Sequence, residues 1–569
     1  MKNLKAQFKI IIYLFLFLNT SNIIAAKNSD KFSDADDISN YFSGVLSIND
    51  NQYEKSFSYL KSLNNLEDHH YTYSQYYQYS LVTLGKFKEA TKYSKKLRDK
   101  KLDNFESNLI SAVYYLEGGD FKNASFYLKI LENKNQLVSI QNLLSKSLNA
   151  WTQIRSASDL DAGLILLKTI PKRFENIKNI QKTFAYCYFD SPKTDEIFKQ
   201  LTSNSEINYS RYNFFHANYL VSKNNKEKAK KTIQLSIDQH PKNLILNQLK
   251  LDIKDKKLSK NKFDCRNSTD VIAEILYIAS NALSAQNNYM LSNFYLSLAK
   301  YLNPNFVSFD SLHAENFFRI QEYEEAKKIY KEIKKKGSVY NWHASKQIAS
   351  ILNTQDKKKD AVYSLKNAFE KIANPTIYEI FDYAEFLKNN EEYEESIKYY
   401  SKILNLIETK HALFPKIIDS RGVAYERTNQ WEKAEVDLLE SLNASPDDAY
   451  VINYLAYSWI EKGVNVKKSL KMLRKANKLR PNDGYIIDSL GWALFKLKNY
   501  KEAKQYLESA VIYMASDPVV NDHYADALWM NNKTLQARYY WNYVLSLKKT
   551  EEKLKKKIEQ KILFGLKTE

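Results

Sequence analysis

The chain has 569 residues, with 85 Lys and Arg against 66 Asp and Glu for a formal charge of +19, and only 11 Gly and 9 Pro. Average usage of about 12% for Gly plus Pro would give roughly 68 such residues, so the tight turns of a β-sandwich or barrel and the glycine loops of a dinucleotide fold are not supplied. A hydrophobic fraction of 44% excludes intrinsic disorder and is ample for a core; long helices joined by short polar links fit these totals.

Residues 1–26 read as an address rather than as structure. Lys2, Lys5 and Lys9 precede an uncharged run from Ile10 to Ala26 whose apolar heart ends at Leu18, and the small residues Ala25 and Ala26 close it. That is the order of a secretory signal peptide, and the apolar heart falls short of the about 20 residues of a membrane span. Cleavage is expected near Ala26, with an uncleaved anchor as the alternative. No Cys lies near the cut, which argues against a lipoprotein. The rest of the chain stays basic, with 82 Lys and Arg against 66 acids.

Over 27–253 a weak period is visible. Ser56, Ala90 and Ala124 stand 34 residues apart, with Gly44, Gln78 and Ala112 twelve residues before each, and Ala162 and Ala229 repeat the arrangement with Ala150 and Ala217. The pattern predicts a degenerate array of helical hairpins, distorted at Gln78, where a long polar residue occupies a small-residue position. Only Cys187 and Cys265 exist. An exported compartment permits a disulfide, but the apolar run Phe184 to Phe189 favours a buried thiol that packs as a small hydrophobe. Over 254–269 the phase is lost, and the Lys-rich stretch Lys254 to Lys262 predicts a basic linker or loop and a soft boundary.

From 270 to 547 the period is regular. Ser292, Ala326, Ala361, Ser396, Ala434, Ser469, Ala503 and Ala537 are spaced by 34, 35, 35, 38, 35, 34 and 34 residues. Twelve residues before most of them stands a second small residue: Ser280, Ala314, Ala349, Ala384, Gly422, Gly491 and Ala525, with Ala456 displaced by one. Small side chains at matched heights let antiparallel helices approach closely, while Ile487, Leu490, Leu494 and Leu507 supply the apolar face. Pro241, Pro304, Pro446, Pro481 and Pro518 fall between helices, where proline is tolerated, and Asp447, Asp448 and Asp483 place negative charge at helix starts. Residues 548–569 form a closing segment with Leu554, Ile558, Ile562 and Leu563 on one side and Lys on the other: a capping helix and tail, with a membrane-surface helix as the rival reading.

The segment Gly484 to Met514, with Leu490-Gly491, Leu494, Tyr500, Ala503, Leu507 and Ala510, closely resembles the tetratricopeptide repeat, and the likeness extends over roughly Val271 to Leu547. The resemblance implies an all-α solenoid of stacked helix pairs that binds protein segments. The last repeats, with Asn453-Tyr454-Leu455, Asp488-Ser489-Leu490-Gly491-Trp492 and Asn521-Asp522-His523, also look like exported repeat proteins of Gram-negative bacteria, which implies a periplasmic or outer-membrane-associated scaffold.

In such a stack the first helices line a concave wall. Positions three before, one after and four after the small contact residue point to that wall. They are Asn453, Tyr457 and Ile460, then Asp488, Trp492 and Phe495, then Asp522, Asp526 and Trp529; Tyr450 and Tyr485 extend the strip. Aromatics beside carboxylates predict a groove for an extended apolar or basic segment, and the acids argue against a ligand carboxylate. The competing reading is that the aromatics only pack between repeats.

The Lys-rich stretches, among them Lys226 to Lys231, Lys331 to Lys336 and Lys548 to Lys557, fit solvated helix faces or an anionic membrane surface; export argues against nucleic acid. The eight His are scattered, His69-His70 reads as a surface pair, and no His-Glu-x-x-His motif, Cys metal spacing, phosphate loop or nucleophile elbow occurs. The expectation is a cell-envelope scaffold with no catalysis, no cofactor and no metal. Its alternative is a membrane-associated assembly or transport accessory.

Overall fold

The computed structural model describes residues 35–63, 66–68, 70–132, 139–203, 208–256 and 262–566. The segment 1–26, read above as a signal peptide, lies outside the described residues. Among the described residues there are 30 α-helices and no strands, so the expected all-α array of helix pairs is what the chain forms. No helix among them is long and apolar enough to cross a membrane.

The turn inside most pairs is built the same way. A residue with positive φ recurs at Asn287, Gln321, Asp356, Glu391, Asn429, Gly463, Lys498 and Asn532, in step with the small residues of the sequence repeat. The next backbone N–H returns to the preceding helix, as from Gln430 to the Tyr425 carbonyl at 2.8 Å and from Lys533 to that of Leu528 at 2.9 Å. This is the Schellman closure, which satisfies carbonyls that the helix end leaves open. A left-handed residue with a side chain costs roughly 1–2 kcal/mol, a cost these turns accept in place of glycine. That is how a chain with 11 Gly makes so many turns.

Within the pairs, the repeated small residues Ala326, Ala361, Ser396, Ala434, Ser469, Ala503 and Ala537 are fully buried. Gly491 shows why they must be small, since a Cβ there would lie 2.7 Å from the Leu507 Cγ. Leu490, Leu494 and Leu507 fill the space beside it, each worth about 1.5–3 kcal/mol of burial. Gln78 does not distort its helix, which runs unbroken over Tyr71–Thr83; its amide donates to Ser94 Oγ at 3.3 Å inside the core.

The contacts divide the chain into one unit up to Gln355 and a second from Asp356 onward. In the first, the pair Ser268–Ala285 and Tyr289–Leu302 packs against the earlier helices Tyr71–Thr83, Phe105–Glu117 and Ser139–Ile154. Tyr79 meets Phe294 with ring centroids 4.8 Å apart, and Phe87 stacks on Tyr301 at 3.9 Å. The inner side of this unit is therefore filled by the unit's own later helices. Arg211 locks the arrangement, forming two hydrogen bonds to the fully buried Glu274 at 2.7 and 2.6 Å, with its guanidinium 4.1 Å from the Tyr277 ring centre.

Cys187 and Cys265 are joined by a disulfide across 78 residues, with Cα atoms 5.9 Å apart, which corrects the reading of Cys187 as a free buried thiol. The reason lies in Phe263. Its ring packs 4.2 Å from Phe215 and 5.6 Å from Phe184, and this holds Cys265, two residues on, beside Cys187. The soft boundary read at 254–269 thus falls inside the first unit.

In the second unit the first helices are Ile377–Asn389, Phe414–Arg427, Ala449–Glu461, Gly484–Lys496 and Pro518–Met530. Asp448, Asp483 and Asp517 cap the last three, each accepting two backbone N–H groups, a contribution of about 1 kcal/mol apiece. The closing helix Glu552–Phe564 buries Ile558 and lays Leu554 and Ile562 on a cluster that includes Trp541.

Candidate functional site

The wall made by the last three first helices is not uniform. Tyr450 and Tyr485 stand two residues after their caps, at the edge of the array, and are 56% and 58% exposed. The Tyr450 hydroxyl donates to Asp483 of the next repeat at 3.1 Å. Asn453 is half-buried, and its side-chain oxygen is buried with no hydrogen-bond partner among the described residues. Tyr457 is half-buried; burial, then the charges of Glu461 and Asp488, hold its hydroxyl pKa above the ordinary value. Ile460 is part of the core rather than of the wall.

The centre of the wall is a connected cluster. Trp492 stacks on Phe495 at 4.9 Å and on His523 of the next repeat at 3.9 Å, and its indole N–H donates to Glu461 of the previous repeat at 2.6 Å. Asp488 is buried and lies 3.0 Å from His523 Nδ1. Burial disfavours the charged imidazole, yet Asp488, with Asp522 and Asp526 behind it, raises the His523 pKa above the ordinary value. Three successive helices are thereby linked through Glu461, the Trp492 and Phe495 rings and His523, with the His523–Asp488 pair beside the rings. Trp492 and Phe495 remain partly exposed.

The far end is covered. Lys561, from the closing helix, places its ammonium 2.7 and 2.9 Å from the oxygens of Asp522 and 2.8 Å from both oxygens of Asp526. Asp526 also accepts the Trp541 indole N–H at 3.1 Å. Burial first, then the Asp522 charge, pushes the Asp526 carboxyl up to about 7 despite Lys561. Trp529 packs on Trp541 at 5.4 Å and lies under Arg538 at 5.2 Å, and Gly565 passes so close to its ring that no Cβ would fit. Asp522, Asp526 and Trp529 thus face the chain's own last helix instead of an open groove, because Lys561 supplies the counter-charge that two neighbouring buried carboxylates require. Lys561 thereby offsets part of the acid read on this wall.

Three participants escaped the spacing rule. His523 lies two residues before Ala525, a position the rule does not select. Glu461 sits one turn beyond Tyr457. Lys561 comes from a segment 35 residues downstream of Asp526; only the alternation of Lys with apolar residues in that segment hinted that one side of it would be buried. Among the described residues no cluster of His, Cys, Asp and Glu could hold a metal ion.

Comparison with known proteins adds the family. The sequence model of the tetratricopeptide repeat matches residues 317–550. A TPR repeat-containing protein of Pseudomonas aeruginosa is 30% identical over 135 residues, 22% of this chain and 21% of the relative; the matched stretch spans about a fifth of that relative's length. Among solved structures, a tetratricopeptide repeat protein from Parabacteroides merdae aligns with 50% of this chain and 97% of its own at 14% identity and a TM-score of 0.34. The APC/C hetero-tetramer Cut9-Hcn1 aligns with 94% of this chain and 97% of its own at 12% identity and a TM-score of 0.36. Residues 317–550 contain both the regular small-residue period and the Trp492 platform, and this part of the chain is similar to the tetratricopeptide repeat family.

Proposed function

We propose that the second unit is a non-catalytic protein-interaction scaffold that holds an extended partner segment along Asn453, Tyr457, Trp492 and Phe495. The observation that carries this reading is the Trp492 and Phe495 pair: rings fixed by stacking on each other and on the buried His523 and by Glu461, yet still partly exposed. Aromatic groups already held in place lose little entropy on binding and dominate measured hot spots. The preferred segment is apolar with a basic residue. Lys561, a lysine of the chain itself seated between Asp522 and Asp526, supports the basic part of that preference.

The same reading places the protein in the cell envelope. The Lys-flanked apolar run at 10–26 supports export, and a buried disulfide between the only two cysteines is at home in an oxidising compartment.

A photo-crosslinking residue at Phe495 in the full chain, expressed in a Gram-negative cell, tests both parts. The expected result is a discrete adduct in the envelope fraction that is lost with Trp492→Ala, while the same probe at the outward-facing Glu432 yields none. Equal capture at both positions, or an adduct indifferent to Trp492→Ala in a chain with unchanged melting, defeats the groove. An adduct found only in the cytoplasm defeats the envelope placement.

A further inference from the structure

The closing helix has a second face that capping does not use. Ile558, Leu554 and Ile562 point into the last pair, so the helix cannot turn its main apolar side to a membrane. On the opposite side Lys553, Lys556, Lys557, Gln560, Leu563 and Phe564 follow one another at steps of 3, 1, 3, 3 and 1 residues, which puts them on one stripe of the helix. All six are exposed, Leu563 by 71% and Phe564 by 74%. The preceding helix, Thr534–Ser546, brings Leu535 and Tyr539 to the surface, 83% and 69% exposed. The Arg538 side-chain Nε–H donates to the Ile562 carbonyl at 3.1 Å and so ties the two exposed groups together.

The charge around them is mostly positive. Between Ala527 and Leu566 nine basic residues stand against three acids, and no acid occurs from Ala527 to Thr550. Large apolar side chains at the end of a lysine stripe match the two layers of an anionic bilayer surface: phosphates for the ammonium groups and the acyl boundary for the rings and aliphatic chains. A second copy of the chain would bring the same positive charge to this patch and be repelled.

We infer that this C-terminal edge seats the scaffold on an anionic lipid surface, with Leu563 and Phe564 inserted and Lys553, Lys556 and Lys557 on the headgroups. The assignment is independent of the groove, which lies on the first helices. An environment-sensitive fluorophore on Gln560→Cys in the full chain tests it, because Cys187 and Cys265 are paired and leave the new thiol as the reactive one. The same label on Glu432→Cys is the control. Vesicles of phosphatidylglycerol with phosphatidylcholine should shift the Gln560 label to shorter wavelength and leave the Glu432 label unchanged. Phosphatidylcholine alone should have little effect, and high salt should weaken the response. Adding Leu563→Asp and Phe564→Asp, both at exposed sites, should raise the lipid needed for half-response by on the order of tenfold or more. A label that stays in water at saturating anionic vesicles, responds equally to neutral ones, ignores the two aspartates, or shifts with protein concentration without vesicles overturns the assignment.

Discussion

The ammonium of Lys561 lies 2.8 Å from both carboxylate oxygens of Asp526, a residue 35 positions earlier in the chain. With Asp522 on its other side, this lysine is the last rung of the array and, together with the buried Ile558, holds the closing helix.

Removing it leaves two buried carboxylates without a counter-ion. Lys561→Met should cost about 3–5 kcal/mol locally, as for a buried pair broken on one side. Hydrogen exchange over 518–564 should accelerate while the first unit is unaffected. Adding Asp522→Asn and Asp526→Asn to Lys561→Met should restore much of the protection, since a neutral trio needs no counter-charge.

The same cluster sets a pH dependence. Burial and Asp522 raise the Asp526 pKa to about 7 in the folded chain, so the folded state binds a proton that the unfolded state has released. Its contribution is therefore full below the ordinary Asp pKa, near 4, and is lost as pH rises through about 7. His523, also raised, acts in the same direction above its ordinary value. Local opening of the last pair and closing helix, read by exchange corrected for intrinsic rate, should become easier from about pH 4 to beyond 7. A flat or opposite trend contradicts this assignment.

The first unit should depend on its cross-link. Closing a loop of 78 residues is worth about 4 kcal/mol in the chain-entropy account. Replacing both Cys187 and Cys265 with Ser should lower the melting transition of the first unit and leave the second unchanged. Without reductant, the native folded protein should have no thiol that reacts with a maleimide.

Gly491 tests the helix-approach argument. A Cβ there meets Leu507 Cγ at 2.7 Å and its backbone nitrogen at 3.2 Å, and backbone cannot step aside as a side-chain tip can. Gly491→Ala should destabilise the second unit by about 1–3 kcal/mol in chemical denaturation, although alanine is the better helix former. A neutral or stabilising outcome would show that this pair has room to spread.

What the sequence by itself determined was local and periodic. The step of 34 to 35 residues, the buried alanines, the aspartate caps and the proline-marked links follow from helix geometry and the capping chemistry of nearby residues. They were readable without knowing where the chain goes next. Turn residues were harder to read, because Gln321, Glu391 and Lys498 take positive φ that composition alone assigns to glycine.

Only the tertiary structure decided which faces stay open. The rule that aimed Asp522, Asp526 and Trp529 at a groove placed them on the right side of their helix, but the helix Glu552–Phe564 covers that side. The small-residue step over 27–253 gave a degenerate array of helical hairpins but not that Tyr79 and Phe87 meet Phe294 and Tyr301 from a later pair. Cys265 reaches Cys187 because Phe263 is drawn into an aromatic core 48 residues beyond Phe215. Periodicity reports the direction of a side chain about its own helix axis. What it then meets depends on contacts between distant segments, and those are selected by the burial and counter-charge of the whole chain.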